Sequence, residues 1–207
     1  LDCEVIYRGV EAEKRENAQP ALEIKALYLK DTIITFIGRL IDGKGVSDLI
    51  SAVKDIKENY KLFVIGDGPQ KADLENLTVE LETENKVIFF GHKKFKEAMG
   101  ILKISDIFVN PSYTEGLPTS VIEAALCKKA IIATRVGGTP EIITDIQGGY
   151  LINPGDISTL KNKLEILMAD ESLRKELGEN AYMSVLNKFD WDKSSDQYLE
   201  IFNIGPE

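Results

Sequence analysis

One stretch of the sequence, Asp106-Ile-Phe-Val-Asn-Pro-Ser-Tyr-Thr-Glu-Gly-Leu-Pro-Thr-Ser-Val-Ile-Glu123, contains a strand, a turn and the start of a helix. The β-branched and aromatic residues at its beginning, closed by Pro111, are typical of a short buried strand. Gly116 indicates a turn, and Pro118 is favoured at the first position of a helix, where its missing N–H would have no partner. We therefore predict a buried strand followed by a helix that begins near Pro118.

The predicted helix start is a candidate anion-binding site. The backbone N–H groups of Leu117, Thr119 and Ser120 lack acceptors within the helix and lie at the positive end of its dipole. Glu115 precedes this start, and Glu123 lies about one and a half turns into the helix. Carboxylates accept hydrogen bonds from paired hydroxyls, such as those of ribose or a sugar ring. The alternative is that both acids only stabilise the helix N-terminus, and the spacing alone leaves the two interpretations open.

Strands and helices alternate on both sides of this stretch. The other predicted strands are Thr32–Ile37, Lys61–Ile65, Lys86–Phe90, Ala130–Thr134 and Tyr150–Ile152. Helices are predicted over 46–59, 70–81 and 95–103, the last with a polar composition. This order predicts an α/β fold, a Rossmann-like three-layer sandwich with a parallel sheet of about six strands. In such folds ligands bind at the carboxyl edge of the strands.

The length of 207 residues is sufficient for one well-buried domain and does not require a second. We predict a single domain over 1–207, divided into three parts. Residues 1–30 form a linker or first element, 31–155 the Rossmann-like core, and 156–207 a set of C-terminal helices.

The composition narrows the classes of function. Twenty-five basic and thirty-four acidic residues give a formal net charge of −9, which argues against general attraction to nucleic acid or anionic membranes. No apolar run approaches the roughly twenty residues of a membrane span, and we expect no signal peptide. Cys3 and Cys127 match no metal or redox spacing. We interpret them as free thiols of a reducing compartment and expect a cytoplasmic protein.

A near-match to a phosphate-binding loop follows the first predicted strand: Gly38-Arg-Leu-Ile-Asp-Gly-Lys44. Gly45 replaces the serine or threonine that holds magnesium in that motif, which argues against magnesium-dependent ATP hydrolysis. Arg39 and Lys44 on a glycine-flanked loop can still bind a diphosphate. The alternative is a solvated turn.

Four further motifs give weaker evidence of ligand or metal binding. Gly66-Asp-Gly68 lacks the third glycine of a dinucleotide fingerprint, so we interpret it as a turn that leaves the strand edge and passes near a ligand. Gly137-Gly138 is either a second backbone contact to a ligand or a plain turn. His92 is the single histidine, and a lone histidine is more often structural than functional. Asp190-Trp-Asp192 is similar to paired metal-binding aspartates but is better explained as a helix cap, so no metal is predicted.

Taken together, these motifs resemble the C-terminal, nucleotide-sugar-binding half of GT-B-type retaining glycosyltransferases of family 4, the glycosyl transferases group 1. The likeness covers nearly the whole chain. Its carriers are Phe36–Leu40 with Lys44-Gly45, Val64–Pro69, Val87–Gly91, Asn110–Ser112, Glu115–Ala124, Gly137–Glu141 and Gly149–Pro154. Each block alone is a weak signal, and their common order makes the signal specific.

The resemblance implies one half of a GT-B fold and a site for a nucleotide-sugar donor, most often a UDP-sugar, with no metal and no other cofactor. The residues expected to act in catalysis are Arg39, Lys44 and Glu115. Those expected to bind the donor are Gly38, Gly91, His92, Gly116, Leu117, Thr119, Ser120 and Glu123. Arg39, Lys44 and the helix N-terminus would stabilise the charge that grows on the departing diphosphate. Glu115 would face the transferred sugar, Glu123 the ribose, and Gly91 with His92 the base.

The resemblance also implies that this chain is part of a longer hexosyltransferase. In the family, the N-terminal half carries the acceptor site, and the usual Asn-Gly-Val-Asp turn at its boundary is here Arg8-Gly-Val-Glu11. We expect a fragment that binds the donor and transfers no sugar alone. Its partner is the absent half, through which any contact with the cytoplasmic face of a membrane is made. The alternatives are a GT-B-like sugar-nucleotide epimerase, for which acid–base groups are few, and a non-catalytic nucleotide-binding module.

Overall fold

The computed structural model describes residues 6–7, 9–10, 18–144, 147–186 and 188–202, so Cys3, Arg8 and Glu11 lie outside the described residues. The described strands are β1 Thr32–Ile37, β2 Tyr60–Ile65, β3 Val87–Gly91, β4 Ile107–Asn110, β5 Ala130–Thr134 and β6 Tyr150–Ile152. The described helices are α1 Leu22–Leu27, α2 Val46–Val53, α3 Lys71–Glu80, α4 Phe95–Ile104, α5 Thr119–Leu126, α6 Thr139–Ile142, α7 Ile157–Ala169, α8 Glu171–Leu186 and α9 Trp191–Ile201. None of these described helices is both long and apolar enough to cross a bilayer.

All six strands belong to one parallel sheet, and their order across it is β3-β2-β1-β4-β5-β6. β1 and β4 are neighbours at the centre, with Ile34 opposite Ile107. The chain runs outward from β1 to one side and from β4 to the other, so the strand order reverses between them. In open α/β sheets the crevice at such a reversal is the usual ligand site. The predicted Rossmann-like α/β fold is confirmed.

Helices cover both faces of the sheet because successive residues of a strand point to opposite sides. Phe63 and Phe108 pack on the face covered by α4, α5 and α8, whereas Leu62 and Ile107 pack on the face covered by α2, α3 and α7. All four side chains are fully buried. Burial of both faces is typical of parallel sheets, and it leaves the ends of the strands as the open region for a ligand.

The observed helices differ from the predicted ones in several places. α2 ends at Val53 and not near residue 59, because the Ile56 N–H donates to the Val53 carbonyl at 3.1 Å and the Ile56 side chain turns into the core. α4 is amphipathic and not polar; its buried residues are Ala98, Met99, Gly100, Ile101, Leu102 and Ile104. α1 and α6 have no counterpart in the sequence prediction. In α1, Leu22 and Leu27 are exposed, so no apolar face marks the helix.

The C-terminal helix α9 packs against the beginning of the chain. Ser194 Oγ donates to the Tyr7 carbonyl at 2.8 Å, and the Val10 N–H donates to the Phe189 carbonyl at 2.8 Å. Asp190 caps α9, because its side chain accepts a backbone N–H of the first turn at 3.0 Å. The interpretation of this aspartate as a helix cap is confirmed.

Candidate functional site

Two loops meet where the strand order reverses: residues 38–45 after β1 and 111–118 after β4. The Tyr113 N–H donates to the Gly43 carbonyl at 2.7 Å and joins them directly. The Tyr113 hydroxyl donates to Asp48 Oδ2 on α2, also at 2.7 Å, and this hydrogen bond raises the pKa of Tyr113. The two loops together therefore form one edge of the crevice.

Gly45 permits the close contact between these loops. Its φ of +65° lies in the left-handed region, and a Cβ at this position would lie 2.1 Å from the Pro111 carbonyl oxygen. Serine or threonine therefore has no room here. This packing explains the departure from the phosphate-binding loop of ATPases, which needs a hydroxyl at this position to hold magnesium.

Lys44 and Glu115, both expected in catalysis, form an ion pair across the two loops. Lys44 Nζ lies 2.7 Å from Glu115 Oε1, and the two side chains are 23% and 10% exposed. Because little water reaches this pair, its charges are screened less than those of an open surface pair. The fold thus places a cation and an anion side by side at the crevice.

The Glu115 side chain is held by residues that the sequence prediction leaves out of the site. Ser112 Oγ donates to Glu115 Oε1 at 2.7 Å, and Asn110 Nδ2 donates to the same oxygen at 3.4 Å. Both residues are buried, as is Thr134, whose hydroxyl donates to the Ser112 carbonyl at 2.5 Å. The sequence contains Asn110 and Ser112 as carriers of the family resemblance, but no local pattern indicates that they contact Glu115.

The start of α5 presents unpaired backbone donors. Pro118 is the N-cap and Thr119 the first helical residue, one position later than predicted, and no side chain in the described ranges caps this end. The N–H groups of Val121 and Ile122 donate to the Pro118 carbonyl at 3.1 and 3.4 Å. Among the described residues, the N–H groups of Thr119 and Ser120 find no acceptor, as the geometry of a first turn requires. This end of α5 can therefore receive an anion.

At most glycines of the chain a Cβ would contact other described residues, but at Gly116 it would not. A Cβ there would meet no atom within 4 Å, and its φ is outside the left-handed region. The space beside Gly116 is thus free for a ligand.

Gly137 and Gly138 pack against this loop. The Gly138 N–H donates to the Gly116 carbonyl at 2.6 Å, and a Cβ at Gly137 would lie 2.0 Å from the Glu115 carbonyl oxygen. This packing explains the two glycines as parts of a turn, and their contact with a ligand stays a prediction.

Gly91 and His92, expected near the base, lie at the end of β3 on the same edge of the sheet. β2 separates β3 from β1, so at the usual strand spacing they lie roughly 10 Å to the side of the loop 38–45. His92 is exposed, and a Cβ at Gly91 would enter open space.

The turn at Gly66–Gly68 packs on the protein, since a Cβ at Gly66 would lie 1.8 Å from the Gly38 carbonyl oxygen. Its glycines allow this close backbone approach, and passage of the turn near a ligand stays a prediction.

Arg39 and Glu123 are the remaining predicted site residues with charged side chains. Arg39 is exposed, and within the described parts of the chain its guanidinium forms no hydrogen bond or ion pair, so it is available to an anion. Glu123 is half-buried on α5, about one turn after Thr119. The structure thus brings Lys44 and Glu115 into contact and distributes the other predicted residues along the same edge of the sheet.

Comparison with known proteins assigns this arrangement to a family. The sequence pattern described as glycosyl transferases group 1 matches residues 19–184. MJ1069, an uncharacterized glycosyltransferase of Methanocaldococcus jannaschii, is 35% identical over 206 residues, which cover 97% of this chain and 52% of that protein. The chain spans about half the length of the curated relatives it matches.

Solved structures have the same fold. The C-terminal domain of LpcC, a glycosyl transferase group 1 family protein from Francisella tularensis, is 28% identical with a TM-score of 0.76, and the match covers 88% of this chain and 99% of that domain. Anabaena Alr3699/HepE in complex with UDP-glucose is 23% identical with a TM-score of 0.87, over 97% of this chain and 57% of that protein. The fold is thus that of the C-terminal half of a GT-B glycosyltransferase, and the chain belongs to the glycosyl transferases group 1 family.

Proposed function

We propose that this chain is the donor-binding half of a hexosyltransferase of family 4, which moves a sugar from a nucleotide-sugar to a hydroxyl acceptor with retention. The observation that carries the proposal is the Lys44–Glu115 pair where the strand order reverses, with 2.7 Å between Nζ and Oε1. A nucleotide-sugar has both of the groups that these side chains bind, a diphosphate for the cation and a hydroxylated ring for the acid.

In this proposal, catalysis comes from electrostatic stabilisation of the leaving group. Negative charge grows on the departing diphosphate as its bond to the sugar breaks, and donors aimed at that charge lower the barrier. Lys44 and the N–H groups of Thr119 and Ser120 are held at the crevice by the fold, and the exposed Arg39 adds a second cation. With these positive groups present, the proposed reaction needs no metal ion. It also uses no covalent nucleophile.

The other predicted residues are assigned to the rest of the donor. Those proposed to line it are Gly38, Gly91, His92, Gly116, Leu117 and Glu123. Glu123 accepts hydrogen bonds from the ribose hydroxyls, Gly116 leaves room for the diphosphate, and Gly91 with His92 meets the base. We propose uracil as the base, on the support of the family resemblance and of HepE, which contains UDP-glucose in its crystal structure.

We propose that residues 1–207 act as one nucleotide-sugar-binding domain and that a separate N-terminal half supplies the acceptor site. The support is that the chain covers only 52% of MJ1069 and 57% of HepE. This chain alone then binds the donor and transfers no sugar. We also propose a cytoplasmic location, with any contact to a membrane made through the other half, because the net charge of −9 opposes attraction to anionic lipids.

Calorimetric titration of the chain with UDP, GDP, ADP and ATP, each with and without magnesium, tests this proposal. We expect UDP to bind with the same affinity in both conditions, because Lys44 and the start of α5 neutralise the diphosphate without a metal. ATP is expected to bind no better than the diphosphates. Magnesium-dependent binding of ATP, or the absence of binding by all four nucleotides, would contradict the proposal.

A further inference from the structure

The Glu115 carboxylate receives its hydrogen bonds on one oxygen. Lys44 Nζ and Ser112 Oγ each lie 2.7 Å from Oε1, and Asn110 Nδ2 lies 3.4 Å from it. Within the described part of the chain, Oε2 accepts no hydrogen bond. One oxygen is therefore held by the protein, while the other is open to a ligand at the crevice.

Ser112 is the best-fixed of the three donors. Its side chain is completely buried, and its Oγ lies 3.0 Å from Asn110 Oδ1 as well as 2.7 Å from Glu115 Oε1. Thr134 on β5 donates to the Ser112 carbonyl at 2.5 Å, so the neighbouring strand also fixes the Ser112 backbone. The single proton of the Ser112 hydroxyl goes to the nearer and charged acceptor, Glu115 Oε1, and a buried hydrogen bond of this kind holds its members in one arrangement. Ser112 and Asn110 thus prevent the Glu115 carboxylate from turning away.

A fixed Glu115 competes with the donor's diphosphate for Lys44. The phosphates must share a cation that already has an anionic partner 2.7 Å away, and the two negative groups repel each other where water is scarce. A nucleoside diphosphate gains nothing from Glu115 in return. A nucleotide-sugar gains hydrogen bonds from its ring hydroxyls to the open Oε2, and hydrogen bonds to an ionised group are strong ones.

We infer that Ser112 is a positioning residue that fixes Glu115 against Lys44, and that the fixed acid raises the affinity for the nucleotide-sugar relative to the nucleoside diphosphate left after transfer. This inference rests on the proposed function and deepens it. It gives Glu115 a second role, because an acid that competes for Lys44 also favours release of the product once the sugar has gone.

The test is the calorimetric affinity of UDP and of UDP-glucose for four forms of the chain: wild type, Glu115→Gln, Ser112→Ala and Ser105→Ala. Glu115→Gln removes the competing charge, so we expect UDP to bind about threefold tighter or more while the relative affinity for UDP-glucose falls. Ser112→Ala is expected to lower the affinity ratio of UDP-glucose to UDP by about tenfold, with UDP itself changed less than about twofold.

Ser105→Ala is the matched control, because Ser105 is also buried and its hydroxyl pairs with Thr35 at 2.5 Å, away from the crevice. We expect this variant to lose stability without a change in the affinity ratio. If Ser112→Ala does not fold, Ser112→Cys carries the same expectation, since a thiol leaves no cavity at this buried position but is a weak donor.

Three outcomes would overturn the inference. Equal losses of both ligands in the Ser112 variant would indicate a purely structural role, and weaker binding of UDP by Glu115→Gln would exclude competition for Lys44. An unchanged affinity ratio in both variants would exclude the positioning role. Failure of the wild type to bind either ligand is different, because it contradicts the proposed function itself.

Discussion

Lys44→Ala is expected to weaken binding of the nucleoside diphosphate by roughly 10- to 100-fold. The variant removes a charge-assisted contact to the phosphates. It also leaves Glu115 without its cation, with a side chain only 10% exposed and facing a second anion. Both effects oppose the ligand. Calorimetry at constant ionic strength measures the loss, because salt screens contacts of this kind.

Lys57→Ala is the matched control for this variant. Lys57 is an exposed lysine that precedes β2, at the amino edge of the sheet, and its removal changes the net charge by the same amount. We expect an affinity within about twofold of the wild type, as for other exposed surface charges. The double variant Lys44→Ala with Glu115→Gln should recover part of the loss, because the uncompensated carboxylate is gone. Equal affinities of the two lysine variants would remove Lys44 from the site.

Gly45→Ala is expected to lower the free energy of unfolding by about 2 kcal/mol or more. Alanine is strained at the φ of +65°, and its Cβ would lie 2.1 Å from the Pro111 carbonyl oxygen, so the two loops of the crevice must move apart. This movement separates Lys44 from Glu115, and we therefore also expect weaker binding of the nucleotide by the folded variant. Urea unfolding measures the first effect and calorimetry the second.

Gly116→Ala provides the comparison for this prediction. Its Cβ would enter open space, and the backbone is outside the left-handed region, so the free energy of unfolding should be unchanged or higher by up to about 1 kcal/mol. The methyl group occupies space proposed for the ligand, so nucleotide affinity should fall. A Gly45→Ala variant as stable as wild type would refute the packing explanation, and unchanged affinity of Gly116→Ala would exclude a ligand beside it.

The sheet is predictable from the sequence because its strands are short apolar runs, most of them largely buried, with turn residues at their ends. β1 has the predicted limits, Thr32–Ile37, and β4 ends at Asn110, before the proline that closes it. The helices are less predictable where tertiary contacts determine them. α4 contains charged residues, yet most of its side chains are buried. Gly100 allows the Gln19 carbonyl to approach the helix, because a Cβ at Gly100 would lie only 2.6 Å from that oxygen. No property of α4 alone indicates that contact.

The candidate site is predictable only as separate parts. The sequence shows that Gly45 lacks the hydroxyl of the phosphate-binding motif. The reason is the Pro111 carbonyl, which is distant in sequence and close to Gly45 only after folding. The pairing of Lys44 with Glu115 likewise depends on the strand order, which places the loops after β1 and β4 side by side. Ser112 is the clearest omission, because a serine after a proline has no sequence feature that identifies the acceptor of its hydroxyl.

The position of a bound donor tests the proposed site most directly. A crystal structure of the chain with UDP-glucose, or with the glucose form of whichever base calorimetry selects, locates the diphosphate. We predict phosphate oxygens about 2.7–3.1 Å from Lys44 Nζ and from the N–H of Thr119 or Ser120, with a sugar hydroxyl on Glu115 Oε2. A diphosphate bound elsewhere, with no phosphate oxygen near the Lys44–Glu115 pair, would contradict the proposed site.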